Sequence, residues 1–106
     1  MARMIDGLYM ILKHDLEEII IKLTNESHPI FQAHFPNNPI LPGFALIDIM
    51  AKILNDSIIN IHHSKFITHC LPNDILVCKI KTEKKKRNMK IFKNEKKVSE
   101  IIYESK

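Results

Sequence analysis

The stretch HFPNNPILPGFALID limits where this chain can form a helix more than any other part of it. Pro36, Pro39 and Pro42 follow one another at intervals of three residues. Each proline restricts its own φ and pushes the residue before it out of the helical region. The chain from Ala33 to Pro42 is therefore predicted to be extended and stiff, and a helix that follows it has to begin near Gly43.

The helix itself is predicted over residues 44 to about 56, FALIDIMAKILND. This is the only long segment of the chain without a turn residue. Its apolar residues lie nearly all round the helical wheel, which predicts a helix buried on most of its sides. They are Phe44, Leu46, Ile47, Ile49, Met50, Ile53 and Leu54.

Most of the remaining chain is predicted to be strand. Segments dense in β-branched residues are separated by turn residues: YMILKH, LEEIIIKLT, IINIHHSKFITHCL, DILVCKIKT, NMKIFK and KVSEIIYE. In DILVCKIKT, Leu76, Cys78 and Ile80 alternate with more polar positions, which indicates one core face and one wetter face. The sequence therefore predicts an α+β chain in which an antiparallel sheet encloses one buried helix.

Length and composition narrow the class of protein. A chain of 106 residues corresponds to one domain, over residues 1–106. The apolar run of residues 8–12 is too short for a signal core or a membrane span, so we expect a cytoplasmic protein with no membrane partner. Cys70 and Cys78 lack C-x-x-C spacing and lie in or beside predicted strands, so we expect reduced, buried thiols.

The net charge of +4 is concentrated in one region. Between Lys79 and Lys97 there are ten Lys or Arg residues and two Glu residues. Such a basic hairpin either attracts an acidic partner or is simply a solvated face. Phe92 is the one aromatic residue among these lysines, so stacking on single-stranded nucleic acid is not favoured.

The predicted helix carries three features that bear on chemistry. Pro42, unlike Ser, Thr, Asp or Asn, offers no side-chain acceptor to the first backbone N–H groups, so those of Gly43 and Phe44 are left for a ligand oxygen or for water. The carboxylate of Asp48, in a mostly apolar helix, either pairs with a cation or takes up a proton that it can donate. Lys52 lies four residues further along the same face. It either pairs with Asp48, points away, or binds a phosphate.

The segment FQAHFPNNPILPGFALIDIMAK resembles the active-site segment of the hot-dog-fold 3-hydroxyacyl-[acyl-carrier-protein] dehydratases. The pattern of that family runs H-F-P/V-x-x-P-x-M/L-P-G, with a carboxylate five residues after the glycine, and the likeness covers roughly residues 17 to 104. The resemblance implies a curved antiparallel sheet wrapped around one long central helix. It also implies a homodimer with active sites at the interface.

The same resemblance implies a dehydration that needs no cofactor. His34 would be the base at the α-carbon of a 3-hydroxyacyl thioester, carried by acyl carrier protein or coenzyme A. Asp48 of the other protomer would bind water or donate a proton to the leaving hydroxyl. The amides of Gly43 and Phe44 would polarise the thioester carbonyl. The product would be an enoyl thioester in fatty acid, related lipid or polyene biosynthesis.

Several alternatives remain open from the residues. Phe31, Phe35 and Phe44, near the motif, either line an acyl tunnel or belong to the core. The fold also suits an acyl thioesterase, or a non-catalytic module that binds acyl groups or nucleic acid. A metal site is not favoured, because consecutive strand residues point to opposite faces and so separate the candidate ligands. Those candidates are His62, His63, His69 and Cys70.

Overall fold

A computed structural model describes residues 5–33 and 37–106, which form six strands and two helices. The elements are β1 (Tyr9–His14), β2 (Glu18–Leu23), α1 (Pro29–Ala33), α2 (Gly43–Leu54), β3 (Ile58–Phe66), β4 (Ile75–Glu83), β5 (Lys86–Lys93) and β6 (Lys96–Ser105). The strands form one antiparallel sheet in the order β1-β2-β4-β5-β6-β3, as predicted. Strands β1 and β3 are therefore its edges. Neither helix in the described ranges is long and apolar enough to span a bilayer.

The core lies between α2 and one face of the sheet. In β4 the alternation is as predicted: Leu76, Cys78 and Ile80 are buried, whereas Lys79 and Lys81 are exposed. The buried side of this strand belongs to the same apolar cluster as the inward residues of α2, which are Ala45, Leu46, Ile49 and Met50. The two-residue period of the strand thus places the helix on one face and the lysines on the other.

Helix α2 begins where the prolines predict and ends slightly earlier than predicted. It starts at Gly43 and stops at Leu54, two residues before the expected position near 56. Asn55 takes the left-handed conformation with φ 56°, and the N–H of Asp56 donates to the carbonyl of Ala51 at 2.8 Å. These two features form a common helix ending. The prediction that the helix is buried on most sides fails at Phe44, which is 43% exposed.

The short helix α1 was not predicted from the sequence. It ends at Ala33, so the predicted extended segment is wrong at that residue, and Asn37 adopts φ 70° in a turn. Proline at the first position of a helix is favourable, since its missing N–H would have no partner there in any case. Pro29 therefore starts α1 rather than preventing it.

Strand β3 is also shorter than predicted. The strand stops at Phe66, although IINIHHSKFITHCL was predicted to continue to residue 71. The N–H groups of Ile67 and Thr68 both donate to the carbonyl of Val98, at 2.8 and 3.2 Å, and that of Leu41 donates to Cys70 at 2.8 Å. These bonds bring residues 67–70 beside the start of α2.

Candidate active site

The start of α2 has no side-chain cap. Pro42 is extended, with φ −63° and ψ 145°, and makes no side-chain hydrogen bond to the helix, as predicted. Its carbonyl accepts the N–H of Ala45 at 3.0 Å. Within the described ranges, the N–H of Gly43 has no hydrogen-bond acceptor. This donor lies at the positive end of the helix dipole, where an electronegative ligand atom is stabilised.

A cavity of about 160 Å³ opens at this helix start. Most of its wall is apolar, and polar groups come from the chain that follows β3. The lining residues are Ile40, Leu41, Pro42, Gly43, Leu46, Phe66, Thr68, His69, Cys70 and Ser99. An apolar cleft with a few polar groups beside a backbone donor is typical of small-molecule sites.

The ring of Phe66 lies directly on Gly43. A Cβ atom added to this glycine would come within 2.7 Å of two ring carbons, closer than real contacts allow. The absence of a side chain at Gly43 therefore lets the ring of β3 reach the first turn of α2, where it forms part of the cavity wall. Sequence reasoning missed Phe66, because no local pattern connects it with a helix 12 residues before it in the chain.

The thiol in the cavity wall does not supply a nucleophile. Burial, with a smaller contribution from the neighbouring carboxylate of Asp74, raises the pKa of Cys70 to about 11. Burial also raises the pKa of Cys78, to about 12. Both thiols are therefore protonated at neutral pH, and both are free, as predicted.

Asp48 does not pair with Lys52, so the predicted alternative of a closed ion pair on α2 is wrong. The ammonium of Lys52 instead lies 3.1 Å from a carboxylate oxygen of Asp6. Asp48 is partly buried in the second turn of α2 and forms no hydrogen bond or ion pair with the residues the structure describes. None of these residues therefore neutralises its carboxylate.

The other predicted site residues fall into two groups. His34 and Phe35 lie outside the described residues, so their roles stay predictions. Phe31 is 1% exposed and belongs to the apolar core, and it does not line the cavity at the start of α2. Of the predicted site residues, the structure places Gly43 at the cavity and Asp48 one helical turn beyond it.

Two of the histidines considered as metal ligands, His62 and His63, have carboxylate partners. His62 lies 3.1 Å from Glu104, and His63 lies 3.4 Å from Glu100. In the described ranges no three His, Cys, Asp or Glu side chains come close enough together to hold a metal ion.

The basic hairpin is an exposed sheet face that also contains acids. Lys79 and Lys90 lie opposite each other in β4 and β5, with Glu18 and Glu100 as their outer neighbours in β2 and β6. This interleaving of signs weakens the attraction for a polyanion such as nucleic acid.

Comparison with known proteins places the fold and the motif in one family. Residues 12–104 match the family model described as ApeI-like, ApeI dehydratase. A 3-hydroxyacyl-[acyl-carrier-protein] dehydratase FabZ of a Ruegeria species is 34% identical over 88 residues, which cover 69% of this chain and 55% of that enzyme. FabZ of Caldanaerobacter subterraneus subsp. tengcongensis is 36% identical over 45 residues, 42% of this chain and 32% of that enzyme. The chain thus matches only part of the length of these relatives.

A solved structure has the same fold over nearly the whole chain. It is the dehydratase heterocomplex ApeI:P from Xenorhabdus doucetiae, with a TM-score of 0.74 and 24% identity, covering 92% of this chain and 96% of that one. The family match spans the uncapped helix start and Asp48, and the fold match spans the sheet that holds them. The chain therefore belongs to the ApeI-like dehydratase family, within the hot-dog dehydratases.

Proposed function

We propose that this protein removes water from a 3-hydroxyacyl thioester to form the trans-2-enoyl thioester. The observation that carries the proposal is the helix start at Gly43, which lines an apolar cavity five residues before Asp48, a carboxylate that pairs with none of the described residues. Elimination of water requires that negative charge develop on the thioester oxygen, and a helix N-terminus stabilises that charge.

The roles follow from the chemistry of the step. His34 takes the proton from the α-carbon, as the resemblance implies. The amides of Gly43 and Phe44 hold the carbonyl oxygen while the enolate-like charge forms. Asp48, contributed by the second protomer, donates a proton to the departing β-hydroxyl. The geometry supports this role, because Lys52 pairs with Asp6 and leaves the carboxylate of Asp48 accessible to a second partner.

The substrate is proposed to be carried by acyl carrier protein or coenzyme A, within fatty acid, related lipid or polyene biosynthesis. The FabZ relatives are 3-hydroxyacyl-[acyl-carrier-protein] dehydratases by name, which supports the carrier-protein form. The exposed lysines of β4 and β5, such as Lys81 and Lys90, offer an acidic carrier a complementary surface.

The assembly is proposed to be a homodimer formed on β3, with the sheet curved around α2. This edge strand exposes Ile59 by 60%, Ile61 by 47% and Phe66 by 46%. Exposed apolar residues on an unpaired edge favour pairing with another chain. A dimer with a second kind of chain is the alternative, since the neighbour from Xenorhabdus doucetiae is named as a heterocomplex.

The test uses a synthetic 3-hydroxybutyryl thioester and follows the absorbance of the enoyl thioester. Since loss of the base removes a group that contributes roughly 10²–10⁴-fold, we expect His34→Ala to lower kcat by about that factor. Asp48→Asn should also lower kcat. The exposed His14 on β1 serves as the matched control, and His14→Ala should keep full turnover.

Two outcomes would contradict the proposal. If the His34→Ala protein is as active as wild type, His34 is not the base. Release of free thiol without enoyl absorbance would instead assign the site to a thioesterase that uses the same helix start.

A further inference from the structure

His28 holds the first turn of α1 through one ring nitrogen. Its Nδ1 accepts a hydrogen bond from the backbone N–H of Ile30 at 3.0 Å. The main-chain carbonyl of His28 accepts one from the backbone N–H of Phe31, also at 3.0 Å. This is the geometry of an N-cap, with an imidazole in the place of the usual Ser, Thr, Asp or Asn. Ile30 and Phe31 are 2% and 1% exposed, so the cap determines how α1 meets the core.

The second ring nitrogen of His28 connects α1 to the N-terminal turn. Its Nε2 lies 2.7 Å from the carbonyl oxygen of Asp6. A carbonyl only accepts, so Nε2 carries the proton, whereas Nδ1 has to be unprotonated to accept from Ile30. Both bonds form together only in the neutral ring, in the tautomer with the proton on Nε2.

Asp6 in turn connects this turn to α2. Its side-chain carboxylate lies 3.1 Å from the ammonium of Lys52, while its main-chain carbonyl accepts from His28. One residue therefore joins the start of α1 to the third turn of α2, on the helix face that also carries Asp48. We call these three residues, Lys52, Asp6 and His28, the α1–α2 link.

We propose that the α1–α2 link positions the catalytic machinery, with His28 and Lys52 as positioning residues. Helix α1 ends at Ala33, and the next residue in the chain is His34. The link holds α1 relative to α2, and so holds the helix end from which the chain continues to the proposed base. This inference rests on the proposed function. A displacement of a reacting group by a fraction of a bond length is enough to slow turnover.

The experiment separates positioning from stability with two conservative changes. Asn is a good N-cap, so His28→Asn keeps the bond to Ile30 but loses the reach to Asp6. Lys52→Met keeps the length of the side chain but loses the ion pair. Lys52→Met should keep the wild-type Tm, because an exposed ion pair contributes little to stability. His28→Asn should keep it as well, because the N-cap is retained. In both variants we expect kcat on the 3-hydroxybutyryl thioester to fall about fivefold with KM unchanged.

A double variant tests whether the two residues act through one link. If they do, His28→Asn/Lys52→Met should be no slower than the slower single variant, because the second change breaks a connection that is already lost. Lys13→Met is the control, since it removes another exposed lysine–carboxylate pair, with Glu18 at 2.7 Å on β1 and β2. It should keep full kcat.

Three outcomes would count against the inference, and they are distinguishable. Full kcat in both single variants, with an active wild type, overturns the link alone. Strictly multiplicative losses in the double variant show two independent effects and also overturn it. A wild type that forms no enoyl thioester overturns the proposed function, and with it the catalytic role of the link. A selective fall in kcat that does not add in the double variant supports the proposal.

Discussion

At the scale of single residues, Gly43 matters because it has no side chain and because its backbone lies at the cavity. The missing side chain admits the ring of Phe66, and the residue lines the cavity at the start of α2. The two effects separate by mutation, since alanine keeps the N–H but adds a Cβ atom that would lie 2.7 Å from the ring. The conformation of this residue is helical, so alanine causes no backbone strain there.

We therefore expect Gly43→Ala to be destabilising by about 1 kcal/mol, the low end for overpacking, because the half-exposed ring of Phe66 can shift; urea denaturation measures the loss. The added Phe66→Leu change should recover most of that loss, because leucine is smaller and leaves room for the methyl group. If the double variant is less stable than both single variants, the contact with Phe66 is not the cause.

At the scale of elements, a polar network holds the end of α2 against the sheet. Asp56, just beyond the helix, accepts both Nε and Nη2 of Arg87 on β5 at 2.9 Å, and the hydroxyl of Tyr103 on β6 at 2.5 Å. Burial opposes the charged form of Asp56, but the hydrogen bonds from Arg87 and Tyr103 outweigh it and hold its pKa below the ordinary value of 3.8. The network ties α2 to the centre of the sheet, at the end away from the cavity.

This lowered pKa gives a prediction for stability against pH. The contribution of Asp56 is fully present above the ordinary carboxyl pKa and is lost as pH falls through its lowered folded value. Arg87→Met leaves a buried carboxylate without its cation, so we expect a loss of roughly 3 kcal/mol at pH 7. Asp56→Asn should reduce the acid dependence of unfolding, measured by urea titrations at several pH values.

The control for the network is an exposed carboxylate on β4. Glu83→Gln should leave both the stability at pH 7 and its acid dependence close to wild type. An Arg87→Met protein as stable as wild type would mean that Asp56 is solvated in spite of its position.

At the scale of the whole molecule, the two edge strands bear on the proposed assembly. Both carry exposed isoleucines: Ile11 on β1 is 45% exposed and Ile61 on β3 is 47% exposed. The proposed dimer uses β3 only. A charge at Ile61 should therefore disrupt pairing, while the same charge at Ile11 should not.

We expect Ile61→Lys to sediment as a monomer and to lose turnover, because the proposed site needs Asp48 from the second protomer. Ile11→Lys is the matched control and should remain dimeric and active. Equal sedimentation of Ile61→Lys and wild type as dimers would exclude β3 as the interface. A wild type that is monomeric alone would exclude the homodimer.

Local rules in the chain decided the start of α2 and the faces of β4. Proline restricts φ and disfavours helix before it, so Pro42 and Gly43 specify a helix start without any distant contact. The alternation of Leu76 with Lys79 and its neighbours likewise sorts residues by solvent exposure. The family motif from His34 to Asp48 is equally local, so the sequence alone pointed to the dehydratases.

Contacts between distant residues were decided only by the tertiary structure. The spacing along α2 allowed a pair between Lys52 and Asp48, yet the fold brings Asp6 to the ammonium of Lys52. Phe66 reaches Gly43 in the same way, through packing that no periodicity encodes. A sequence pattern determines which face a residue occupies, because that depends on its neighbours in the chain. The partner it meets there depends on how separate elements pack, and this is settled only when the whole chain folds.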